Sequence, residues 1–242
     1  MKKIALITGG SSDIGIATAI RFMQEDYFVV INIRKNNYQN IILKKLKNKF
    51  ILNKDFVIYT ADISNFISCD EMFEQVKRKY GKINSLINNA SITDDLNKKN
   101  NIKEYKRIFD TNYFGTLNCI FNIIEQSDSN KRNIVNLSSE NSTKGSLNLP
   151  AYASSKAAID NITLSFSPVL ATKNIRINSI LPSTVLTKKI ISEKNIAKIK
   201  KKLPMKRLAQ PEEIANIIFW LCNDESSYVS GTLLNVHGGN NY

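Results

Sequence analysis

Seven short runs along the chain are apolar at nearly every position: residues 4–8, 28–33, 56–60, 85–88, 133–137, 175–180 and 232–236. They are rich in Val and Ile and do not alternate with polar residues. Continuous hydrophobicity over so few residues is the pattern of parallel strands covered on both faces. Between them lie longer segments with apolar residues at helical spacing. These predict helices beginning near residues 14 and 39 and spanning 65–80, 103–124, 152–172 and 211–221. Pro211-Glu212-Glu213 makes a good helix start, with proline in the first turn and acids near the positive end of the helix dipole. Seven strands alternating with six helices predict a doubly wound α/β sheet of about seven parallel strands, with helices on both faces. No repeat, linker or break in composition divides residues 1–242, so a single domain is expected. The lysine-rich stretch 188–202 has no strand partner, and a mobile flap is expected over 184–205.

Composition narrows the class. The 242 residues, 43% hydrophobic and 23% charged, suffice for one large core. No run reaches the roughly 18–20 apolar residues of a membrane span. The first apolar run stops at Thr8-Gly9-Gly10, too early for a secretory signal. Three scattered cysteines, Cys69, Cys119 and Cys222, suggest a reducing, cytoplasmic setting with neither a disulfide framework nor a metal cluster. His237 is the one histidine, which argues against a Ser-His-Asp triad and a His-rich metal site. Any proton transfer must use another residue type. The net charge of +13 invites an anionic partner, but 27 lysines against 7 arginines, with abundant Asn and Ile, reads as compositional bias. Basic and aromatic residues do not cluster, so no nucleic-acid partner is expected.

Two places carry chemistry. Thr8-Gly9-Gly10-Ser11-Ser12-Asp13-Ile14-Gly15 follows the first strand and opens the first helix. Small residues let a backbone approach a pyrophosphate, and the helix N-terminus offers free N–H groups. Tyr152 and Lys156, four apart, share one helical face. A free tyrosine is too weak an acid to work well near neutrality, and a neighbouring ammonium favours tyrosinate. Ser138-Ser139 ends the fifth strand, where the C-terminal strand ends of a parallel sheet line a ligand crevice. Ser139 can hydrogen-bond a substrate carbonyl there.

Taken together, these residues resemble the short-chain dehydrogenase/reductase family over nearly the whole chain, and the sheet is then Rossmann-like. Thr8, Gly9 and Gly15 match the family's Thr-Gly-x-x-x-Gly-x-Gly loop, with Asp13 in place of the middle glycine and expected to cap the following helix. The resemblance implies a nicotinamide cofactor held by Gly9, Ser11, Ser12, Asp13, Ile14 and Gly15. It adds Asp62 with Ile63 at the adenine and Asn89 with Ala90, from Asn88-Asn89-Ala90-Ser91, where Ser91 replaces a glycine. Pro182, Val185 and Thr187 would meet the nicotinamide, with Ser183 in another glycine's place. His237 stands for an acid in the family's Val-Asp-Gly-Gly and is expected to be a structural variation. The second strand ends Ile31-Asn32-Ile33-Arg34-Lys35, with no acid to repel a 2′-phosphate, so NADP(H) is expected, with Arg34 as main contact and Lys35 beside it. By the resemblance Ser139 orients the substrate, Tyr152 is the general acid/base, Lys156 lowers its pKa and holds the nicotinamide ribose, and Asn112 holds a water of a proton relay.

The reaction implied is hydride transfer between NADP(H) and a carbonyl or alcohol. The nearest general resemblance is to 3-oxoacyl-[acyl-carrier-protein] reductases, with a 3-oxoacyl thioester as substrate. Lysines 188, 189, 194, 198, 200, 201 and 202, with Lys131, Arg132 and Lys173, would greet an acyl carrier protein. A reductase of a small ketone or sugar-like substrate and a non-catalytic NADP(H)-sensing regulator are the alternatives; retention of Ser139, Tyr152 and Lys156 together speaks against the last. A homo-oligomer, dimer or tetramer, is expected. Pro168, inside the helix carrying Tyr152, is expected to kink it and weakens the case for a tetramer.

Overall fold

The first strand shows how the sheet is made. In β1 (Ile4–Ile7) all four residues are buried, Ile4 and Leu6 in one core and Ala5 and Ile7 in the other. A strand with both faces covered needs no polar alternation. The computed structural model describes residues 2–93, 101–188 and 193–240. The remaining strands are β2 (Phe28–Ile33), β3 (Phe56–Thr60), β4 (Ser85–Asn88), β5 (Arg132–Leu137), β6 (Ile175–Pro182) and β7 (Leu233–Val236). All pair in parallel, in the order β3-β2-β1-β4-β5-β6-β7. The order reverses direction between β1 and β4, the place where open α/β sheets bind ligands.

The helices are α1 (Asp13–Gln24), α2 (Gln39–Leu46), α3 (Phe66–Tyr80), α4 (Ile102–Phe109), α5 (Gly115–Glu125), α6 (Asn141–Lys144), α7 (Pro150–Ala171), α8 (Glu193–Lys202) and α9 (Pro211–Cys222). On one face of the sheet, Phe22 of α1 packs edge-on against Tyr27 and against Phe219 of α9, with ring centres 5.1 and 5.2 Å apart. On the other, Met72, Phe73 and Val76 of α3 and Ile120 and Ile123 of α5 cover Leu6, Val30 and Leu86. Caps set the helix starts. Asn65 accepts from Ser68 N at 2.9 Å before α3, and Glu213 accepts from Gln210 N at 2.8 Å at α9.

Several expectations needed correction. The helix expected over 103–124 is interrupted: a π-helical segment, Asp110–Phe114, separates α4 from α5. The fifth and sixth strands run further than expected, to Arg132 and Pro182. α7 runs on through Pro168 to Ala171, although the proline has no N–H to donate to the Leu164 carbonyl. Within the stretch expected as a flap, α8 forms, and Val185 pairs with Ala209; residues 189–192 lie outside the described residues. No helix among the described residues is long and apolar enough to cross a membrane.

Candidate active site

The turn after β1 is built to leave its backbone bare. Gly9 has φ +60°, and a methyl group there would lie 2.7 Å from the Ala90 Cα; one at Gly15 would lie 2.8 Å from the Gly10 Cα. Side chains are therefore excluded from both positions. Ser12 caps α1 by accepting from Gly15 N at 3.0 Å. The Asp13 and Ile14 amides, first in the helix, find no acceptor among the described residues. Unsatisfied N–H groups at the start of a twelve-residue helix form an anion site. Two neighbours hold the turn rigid. Buried Thr8 accepts from Asn89 N and Ala90 N, each at 3.0 Å. Asn89 Nδ2 donates to the Thr8 and Gly9 carbonyls at 2.8 and 2.9 Å and to Ser12 Oγ at 3.1 Å. These contacts fit the pyrophosphate of a dinucleotide. Arg34 and Lys35 follow β2, exposed and without an ion pair among the described residues. Asp62 accepts from Ser64 N and Oγ in a tight turn after β3, and Ile63 is buried.

Ser139, Tyr152 and Lys156 meet where β5 ends against the first turns of α7. Ser138 Oγ donates to the Lys156 carbonyl at 3.3 Å and so ties the strand end to the helix. Lys156 is fully buried; its Nζ donates to the Leu137 carbonyl at 2.5 Å and stands 5.6 Å from the Tyr152 ring centre. Burial pushes the Lys156 ammonium down to about 8, against the opposing pull of Asp160. The Tyr152 hydroxyl is raised by burial, while the hydrogen bond with Ser139 pulls it down. The expectation of a lowered Tyr152 is thereby reversed in net direction: burial outweighs the stabilisation of tyrosinate. At neutral pH Tyr152 is an acid holding its proton.

The π-helical segment carries Asn112. Its Nδ2 donates to the Ile92 carbonyl and to Ser155 Oγ, both at 2.9 Å, and its Oδ1 accepts from Ile92 N at 2.8 Å. Ser155 Oγ donates in turn to the Tyr152 carbonyl at 2.7 Å. Both Asn112 amide hydrogens are used, so its side chain braces α7 against the loop after β4. π-bulges often occur at functional sites, but no sequence marker announces this one. Its neighbour Gly115 is closely packed: a methyl there would meet the Ile63 side chain at 2.9 Å.

Comparison with known proteins agrees. A model of the family described as enoyl-(acyl carrier protein) reductase matches residues 9–241. An acetoacetyl-CoA reductase of Cupriavidus necator is 32% identical, covering 98% of both chains. A 3-oxoacyl-[acyl-carrier-protein] reductase of Thermotoga maritima is also 32% identical, over 98% of this chain and 97% of its own. Nodulation protein G of Azospirillum brasilense is 30% identical over 100% and 99%.

The chain belongs to the short-chain dehydrogenase/reductase family. It is an oxidoreductase, and reductases of this family use nicotinamide cofactors.

Its departures from the family pattern have local explanations. Asp13 does not cap α1, since Ser12 does. The Asp13 carboxylate instead accepts from Lys188 N at 2.8 Å and pairs with Lys45 at 3.0 Å, tying the turn to the segment after β6. Burial opposes its ionisation, but these two partners outweigh it and lower its pKa. Pro182 ends β6, and Val185 and Thr187 lie on that segment, with Pro182 and Val185 buried. Ser183 donates to Glu140 at 2.8 Å, next to Ser139; Glu140 also pairs with Lys144 and accepts from Asn240 Nδ2. A glycine at 183 could not make that bond. Ser91 is half-buried, and nothing in the structure explains its presence in a glycine's place. His237 Nδ1 is buried without a hydrogen-bond partner among the described residues.

The basic residues sort by burial. Arg132 is buried, donating to the Ile83 carbonyl and pairing with Asp128, so it cannot meet a carrier protein. Lys131 pairs with Asp224. Lys173, Lys188, Lys200 and Lys201 are exposed. Lys189 and the side chains of Lys194, Lys198 and Lys202 lie outside the described residues.

Proposed function

We propose that this enzyme reduces the 3-oxo group of an acyl thioester with NADPH. The observation that carries the reading is the convergence of Ser139, Tyr152 and Lys156 at one strand end, beside a glycine turn whose backbone N–H groups await an anion. The bound nicotinamide supplies the hydride to the carbonyl carbon. The Ser139 hydroxyl donates a hydrogen bond to the carbonyl oxygen and orients it. Tyr152 gives its phenolic proton to that oxygen as negative charge develops there, completing the alcohol. The Lys156 ammonium then offsets the charge left on the phenolate. Asn112 acts at one remove, holding α7 in register through Ser155.

Three further elements belong to the same reading. Arg34, with Lys35, would hold the 2′-phosphate and so select NADP(H) over NAD(H). A thioester substrate is supported by the likeness to an acetoacetyl-CoA reductase and a 3-oxoacyl-[acyl-carrier-protein] reductase, and the exposed lysines after β6 suit a phosphopantetheine or an acidic carrier. The apolar side chains of Phe121 on α5 and Leu164 and Val169 on α7 are exposed, and we assign them to contact with further copies of this chain. The test is titration of the purified protein with NADPH and NADH. Tight, selective NADPH binding is expected; binding of neither would remove the cofactor site and the reaction with it.

A further inference from the structure

A second ionisable group lies buried one helical turn beyond Lys156. Asp160 is 5% exposed, and neither carboxylate oxygen has a hydrogen-bond partner among the described residues. The buried hydroxyl of Ser142 is likewise unpartnered. The hydroxyls of Ser142, Ser138 and Ser179 face the carboxylate at longer range. Residues i and i+4 share a helical face, so Asp160 is the neighbour of Lys156 on the side away from Tyr152. The other groups around Lys156 are neutral: Tyr152 on its own helix, the Leu137 carbonyl of β5, and Asn112 of the π-helical segment, reached through Ser155.

Stability does not explain such a residue. A carboxylate this deeply buried is costly even with serine hydroxyls turned toward it, and an amide or apolar side chain of similar size would cost less. What Asp160 adds, when ionised, is negative charge in a low-dielectric interior, where charge acts strongly on its neighbours. We propose that Asp160 is a positioning residue for the acid/base pair, keeping Lys156 in its ammonium form behind Tyr152. The inference rests on the assignment of Tyr152 and Lys156 above. It agrees with the electrostatics: burial drives Lys156 down and Asp160 pulls it up, while burial raises Asp160 and Lys156 acts to lower it. The serines around Asp160 have a part in this, since they favour its ionised form.

The test is Asp160→Asn, with Asp160→Ser as a second variant should the first fail to fold. Protein labelled at the lysine side chains is titrated by NMR, with the Lys156 signal assigned by its loss in Lys156→Met. In the wild type Lys156 is expected to titrate at about 8. In Asp160→Asn the midpoint is expected roughly one pH unit lower, reducing the ammonium fraction at pH 8 about fivefold. The basic limb of acetoacetyl-CoA reduction with NADPH is expected to move with it. Thermal stability is expected to hold or rise, because an unpartnered buried charge has gone. An unmoved Lys156 midpoint in both variants, with stability lost, would make Asp160 merely structural and overturn the proposal. The NMR titration needs no turnover. A shifted midpoint in an enzyme that reduces nothing would therefore sink the proposed reaction and leave the electrostatic link between Asp160 and Lys156 standing.

Discussion

Thr8→Val removes one oxygen from the centre of the cofactor turn and leaves the shape almost unchanged. Thr8 is fully buried, so the added methyl group replaces the hydroxyl without opening a cavity. The hydroxyl accepts from two backbone amides, Asn89 N and Ala90 N. Asn89 N keeps a second acceptor, the Ile87 carbonyl at 3.1 Å, whereas Ala90 N has no other among the described residues. One amide is therefore stranded outright and one loses half of its partnership. A buried donor left unsatisfied costs about 1–3 kcal/mol; the Ala90 amide is only half-buried, so the whole change should destabilise the protein by about 1–2 kcal/mol. For a chain of this length each kcal/mol is worth roughly 2–4 °C in Tm, giving a drop of about 2–8 °C. Reversible thermal unfolding of the wild type, Thr8→Val and Thr8→Ser provides the assay. Thr8→Ser keeps the oxygen and should lose clearly less than the valine variant. If Thr8→Val unfolds within a degree of the wild type, or Thr8→Ser is the worse of the two, the hydroxyl does not support the turn and the reasoning fails.

Arg34→Ala should weaken NADPH binding by about tenfold or more and leave NADH nearly untouched, consistent with loss of a charge-assisted phosphate contact; equal losses in parallel titrations would contradict the assignment. Gly15→Ala must push backbone against backbone at the Gly10 Cα and the Gly9 carbonyl, so its cofactor affinity should collapse even where circular dichroism shows a folded protein. Wild-type reduction should fall as pH rises through about 8, because burial depresses the Lys156 ammonium and its charge is lost above that point; a rate unchanged to pH 10 would deny Lys156 that role. Ser183→Gly should fold normally but loosen Glu140, raising KM more than it lowers kcat, which steady-state kinetics would reveal.

The strands were legible because both faces of the sheet are covered: β2, β3 and β4 begin and end where their apolar runs do. The Gly9 turn, Ser139, Tyr152 and Lys156 were legible because each stands at a fixed distance from such a run. What stayed hidden depends on contacts between distant segments. The π-helical segment follows from Asn112 reaching the Ile92 backbone and from Gly115 packing against Ile63, neither of which leaves a local periodic signal. Ser12 took the cap expected of Asp13, because Lys188 and Lys45 engage the aspartate from elsewhere in the chain. Arg132 looked like surface charge in the sequence, yet Asp128 and the Ile83 carbonyl hold it inside. The direction of the Tyr152 shift depended on how deeply the hydroxyl is buried, which spacing along a helix does not fix.

The central claim is that Tyr152 delivers the proton that accompanies hydride transfer from NADPH. It is tested most directly by single-turnover reduction of acetoacetyl-CoA, following nicotinamide absorbance in the wild type and in Tyr152→Phe, with NADPH binding measured on both. The account predicts rapid NADPH oxidation by the wild type, and a rate lower by at least about a thousandfold in the phenylalanine variant despite near-equal cofactor affinity. A Tyr152→Phe enzyme that oxidises NADPH at the wild-type rate would contradict it.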